Sequence, residues 1–160
     1  MFKVLIFAIV VMLAAPSVEA KTPIDFRQIV PRDWKLLPPD QASHDRRFVS
    51  PTGNAWLSLY AQPTRLESVS AHMERVRLMP GEEITYERQG RGWLVVSGYK
   101  GNRIFYRKAM LACGNRQWHH LAFEYPAEEK LAFDRFVTLV SYALKEYERV
   151  GCGTCAHVGF

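Results

Sequence analysis

Three cysteines in 160 residues are too few for the dense disulfide framework of a small secreted scaffold. Glycine and proline, at 10 and 9, exclude a collagen repeat and a low-complexity chain. No apolar run exceeds the 12 residues from Val4 to Ala15. At about 1.5 Å per residue such a run reaches about 18 Å, short of a hydrocarbon core of roughly 30 Å. Internal repeats are absent, as are a Gly-x-Ser-x-Gly elbow, a P-loop and a dinucleotide-binding glycine fingerprint. What is present is an ordinary globular composition: 48% hydrophobic, 23% charged, with a net charge of +5.

Met1-Phe2-Lys3 gives a short positive start, followed by the apolar run and then Pro16-Ser17-Val18-Glu19-Ala20. Small residues at 18 and 20 fit a signal-peptidase site, so residues 1–20 are expected to be a cleaved export signal. The mature chain would begin at Lys21 and work in the periplasm or outside the cell. No cysteine follows the run, which excludes the lipid-anchored form of such a signal. No later stretch is long and apolar enough for a transmembrane segment. Residues 21–160 then form one domain, large enough to bury about two thirds of its unfolded surface without help from a metal.

The prolines at 23, 31, 38 and 39 make residues 21–44 an extended leading segment. Arg46–Ser50 and Ala55–Ala61 read as a hairpin joined by Pro51-Thr52-Gly53-Asn54. The period then changes. Leu66, Val69, Met73, Val76 and Met79 recur at helical spacing until Pro80-Gly81 stops them, with Thr64-x-x-Glu67 or Ser68 as the cap. Four strands are expected near 83–88, 92–99, 102–112 and 116–125, on connections too short for anything but antiparallel neighbours. Residues 126–149 carry Phe133, Phe136, Val137, Val140, Leu144 and Tyr147 on one helical stripe, and the cysteine-containing tail 150–160 follows. The order β-β-α-β-β-β-β-α predicts an α+β fold: an antiparallel sheet of about six strands flanked by helices.

That order resembles the PsbP/Mog1-like superfamily. So do Phe48-Val-Ser-Pro-Thr-Gly53 running into a strand, Trp93-Leu-Val-Val-Ser-Gly98, Ile104-Phe-Tyr106 and the terminal amphipathic helix. The resemblance covers about residues 45–150 and implies a non-catalytic binding or assembly module. It carries over no catalytic residue.

Cys152-Gly-Thr-Cys155 follows a helix rather than opening one, against a thioredoxin-like dithiol, and Ala156 stands where c-type haem attachment needs histidine. Cys113, Cys152, Cys155 and His157 offer metal-ligand chemistry, though exported thiols usually oxidise. If the last helix folds back along the last strand, its end returns to the Gly114-Asn115 turn. A disulfide from Cys113 to Cys152, or to Cys155, is therefore expected. Closing a loop of that length contributes about 4 kcal/mol, less any strain. His119 and His120 are adjacent on a strand, point to opposite faces and so cannot chelate one ion; both are expected to have ordinary partners.

The clearest functional signal is charge. From Arg88 to Phe123 there is no acidic residue, against seven basic ones: Arg88, Arg91, Lys100, Arg103, Arg107, Lys108 and Arg116. Two readings compete. Such residues blunt a sheet edge against pairing, or they form a basic surface for an anionic protein or cell-envelope surface. Export argues against nucleic acid. On the second reading, reversing Arg103 and Arg107 to Glu should abolish binding and leave stability nearly unchanged. The sequence thus predicts an exported, non-enzymatic binding domain with no cofactor. The alternative is a thiol-redox or metal-binding protein using the three cysteines and His157.

Overall fold

The computed structural model describes residues 29–38, 46–64 and 68–150, with side chains to residue 145. The expected export signal, the C-x-x-C pair and His157 lie outside the described residues, as therefore do the expected disulfide and the metal-ligand alternative that needs them.

Seven strands form one sheet: β1 (Lys35–Leu36), β2 (Arg46–Val49), β3 (Trp56–Pro63), β4 (Glu83–Gly90), β5 (Trp93–Lys100), β6 (Arg103–Ala112) and β7 (Gln117–Pro126). Helix α1 (Val69–Arg77) joins β3 to β4. A 3-10 turn (Ala127–Glu129) leads from β7 into α2 (Lys130–Val150). The spatial order is β1-β2-β3-β7-β6-β5-β4, and every neighbouring pair is antiparallel. This is the α+β class expected from sequence, with one strand more. The extra strand, β1, is two residues pairing Lys35 with Val49 and Leu36 with Phe48.

Alternation along the central strand β7 separates the molecule into two packed layers. Leu121, Phe123 and Tyr125 face α2, whose Val140, Ala143 and Leu144 complete the larger core with Leu57, Leu59 and Ile104. Trp34 reaches this core from the leading segment, its ring 6.0 Å from Phe123 and 5.4 Å from Phe136. On the opposite face Met73 of α1 packs with Leu94, Val96 and Phe105. Nine residues are too few for a helix to stand alone in water, so this packing is what holds α1. Ser68, one of the two caps expected from sequence, caps it, accepting from the Ala71 amide at 3.1 Å, while Thr64 instead donates to the Asn115 carbonyl at 2.9 Å.

The outer hairpin depends on a close approach. A β-bulge between Ile84 and Tyr86 brings the Glu83 carbonyl over Gly98, where a Cβ would lie 1.8 Å from that oxygen. Backbone cannot yield as a side-chain tip can. Gly98→Ala is therefore expected to cost about 3 kcal/mol, read as a lower urea midpoint, with exchange protection lost first across β4–β5.

Candidate functional site

The α1 face is covered unevenly. Beside the helix, over β3, β7 and β6, lies a cleft of about 150 Å³. Arg107 pairs with Ala122 and Ala109 with His120 across the β6–β7 ladder, so all four share this face. The two alanines leave the depression. Tyr60 and Gln62 of β3 border it on one side; Arg75, Val76 and Met79, from α1 and the turn after it, border it on the other.

A column of four rings runs from under α1 to the cleft, which its last two, His120 and Tyr60, line. Trp118 stacks on His72 with centroids 4.0 Å apart and planes 3° from parallel. His72 lies 5.1 Å from His120, which stacks on Tyr60 at 4.4 Å. Arg75 Nη2 is 2.7 Å from His72 Nδ1. A guanidinium can only donate, so that nitrogen accepts and the proton of a neutral His72 sits on Nε2. His120 is buried, and its Nε2 has no hydrogen-bond partner among the described residues. The expected opposite orientation of His119 and His120 is observed; His120 has Tyr60 as a stacking partner, and only its Nε2 is left without a hydrogen bond among the described residues.

Burial holds the His120 pKa down at about 3, with His72, Arg75 and His119 adding to the effect. Burial lowers that of His119 as well. Folded His120 is thus neutral, while the unfolded chain takes up a proton once the pH falls below about 6.5. The contribution to stability is complete above about pH 6.5 and is lost on acidification towards pH 3, at up to about 1.4 kcal/mol per pH unit for each such group. His120→Phe should make the acid limb of the stability curve shallower. An unchanged slope in urea unfolding between pH 6.5 and 4 would contradict the buried neutral ring.

Arg107 is the most constrained cation of the face. Nη1 and Nη2 each lie 2.7 Å from a Glu82 carboxylate oxygen, and Nη2 lies 2.7 Å from the Arg77 carbonyl. Its guanidinium carbon sits 4.7 Å from the Phe105 ring centroid. Its Nε is buried and has no partner among the described residues.

The seven basic residues singled out in the sequence do not lie together. Arg103 pairs with Glu124 and donates to the Asn54 carbonyl at 2.7 Å. Lys108 donates to the Ser141 carbonyl at 2.8 Å on the α2 face. Arg88, Arg91 and Arg116 are exposed towards the end of the sheet where β4 turns into β5 and β6 into β7; Arg116 Nε also donates to the Cys113 carbonyl there. Lys100 is exposed at the other end. With Arg103 and Arg107 both in ion pairs, their reversal to Glu would change stability, contrary to the expectation from sequence. The acids that pair with them, Glu82 and Glu124, fall just outside the acid-free segment.

Cys113 is buried in the β6–β7 turn, with Cys113, Gly114 and Asn115 all at positive φ. Among the described residues no group of three or more His, Cys, Asp or Glu side chains is placed to hold a metal ion, and no helix is long and apolar enough to cross a membrane. Tyr60, His72 and Arg75 were not singled out from the sequence; His72 sits 48 positions before His120, with no motif linking them. No protein-family model matches this chain, and no curated protein matches it.

Proposed function

We propose that this chain is an exported, non-catalytic binding domain of PsbP/Mog1-like architecture whose ligand seat is the cleft between α1 and the sheet. The observation that carries this reading is the concave cleft itself, where apolar wall meets polar groups from three strands and a helix. A volume of about 150 Å³ is small for a whole drug-sized ligand and suits a fragment-sized molecule.

A mixed set of neutral, cationic and anionic fragments titrated into the isotope-labelled chain tests the seat. Saturable shifts are expected at the Ala109, Ala122 and Met79 methyl groups, and Ala122→Leu, which fills the depression, should abolish them. Shifts gathered instead around Arg88, Arg91 and Arg116, or no saturable shift anywhere, would refute the cleft as the seat.

A further inference from the structure

Two residues that line the cleft each carry a buried polar atom without a partner, and they belong to neighbouring strands. Arg107 Nε comes from β6 and His120 Nε2 from β7; both are buried and neither meets a hydrogen-bond partner among the described residues. In the ladder Arg107 stands opposite Ala122 and His120 opposite Ala109, so the two side chains are diagonal neighbours on one face. Diagonal positions lie about 7–8 Å apart at the backbone, within reach of one bridging group between their side chains. A buried donor left bare costs free energy, and more so when it is charged, so whatever satisfies both atoms recovers that cost.

The chemistry of the bridging group follows from the donors. A guanidinium N–H only donates, and neutral His120 donates from Nε2 in the tautomer that carries its proton there, the one an oxyanion selects. The cleft is bordered by two basic side chains, those of Arg75 and Arg107, and by no acidic one. Glu82 engages the Nη atoms of Arg107 and leaves Nε to point elsewhere. Charge-assisted bonds from such donors favour an oxyanion. Val76, Met79 and Leu94 supply apolar wall, and the volume matches that of a benzene-sized body.

We propose that the cleft binds a small carboxylate on a compact apolar body, its oxygens bridging Arg107 Nε and His120 Nε2. This rests on the cleft being the ligand seat. Benzoate is the natural probe, and benzamide has the same shape without the charge.

The test titrates each probe into the full chain while following the Arg107 Nε–H and His120 ring resonances. Benzoate is expected to shift both saturably, with a Kd at least about tenfold below that of benzamide. His120→Phe keeps a ring against Tyr60 but removes the nitrogen. It should weaken benzoate by about tenfold or more and change benzamide little. Ala122→Leu, which leaves both polar groups in place, should block both probes, and it decides the matter if His120→Phe fails to fold. Equal affinity for the two probes would overturn the carboxylate while leaving the seat intact. Contact of both resonances with water alone, at saturating benzoate, would overturn it too. If the whole fragment set also leaves the cleft methyl groups unmoved, the seat falls with it.

Discussion

Glu82→Ala is expected to remove about 3–5 kcal/mol of folding free energy, the loss typical of one partner taken from a buried ion pair. The Glu82 side chain is 3% exposed and that of Arg107 14%, so the pair is shielded from solvent screening. The carboxylate meets both Nη atoms of Arg107, each at 2.7 Å, in the bidentate arrangement that only arginine provides. It also accepts from the Met79 amide at 2.9 Å and so closes the turn between α1 and β4. Removing it strands a guanidinium over Phe105 and frees that turn together. A loss below about 1 kcal/mol in urea unfolding would class the pair with exposed ones. The double change Glu82→Leu with Arg107→Met leaves no charge buried and should return stability to within about 1–2 kcal/mol of the native chain. It would still lack the N–H that anchors a carboxylate, which separates the structural role of this pair from its role in binding.

Trp118→Ala should cost about as much, about 3–5 kcal/mol, by a different mechanism. Trp118 is 1% exposed, and its ring is the floor on which His72 lies. The substitution opens a void under a nine-residue helix that has little intrinsic stability of its own. Loss of α1 helicity should accompany the loss of stability, seen as weaker circular dichroism at 222 nm below the main transition. Trp118→Phe keeps an aromatic face for His72 and should cost markedly less. Equal losses for Ala and Phe would show that the stacked ring does not hold the helix.

The strands and helices were legible in the sequence because each advertises its period and its ends. Gln89-Gly90-Arg91 and Lys100-Gly101 read as short turns between alternating runs; the structure turns slightly later, at Arg91-Gly92 and Gly101-Asn102, and the antiparallel meander follows as read. The α2 stripe at Phe133, Phe136, Val140 and Leu144 meets the core as its spacing implies. β1 was not legible, since two residues between prolines have no period, and its pairing with β2 comes from tertiary packing around Trp34. The basic segment was legible as charge but not as a surface, because side-chain pairing is decided across strands. Glu82 and Glu124 reach Arg107 and Arg103 from 25 and 21 positions away. The cleft had no signal at all. It arises from alanines at 109 and 122, ordinary in any strand, and from a helix histidine that only the fold brings beside His120.

A crystal of the full chain soaked in benzoate tests the central claim most directly. The account predicts one benzoate in the cleft, its carboxylate oxygens within about 3.2 Å of Arg107 Nε and His120 Nε2 and its ring against Val76 and Met79. Density for ordered water alone between those two nitrogens, with benzoate elsewhere or nowhere, would contradict it.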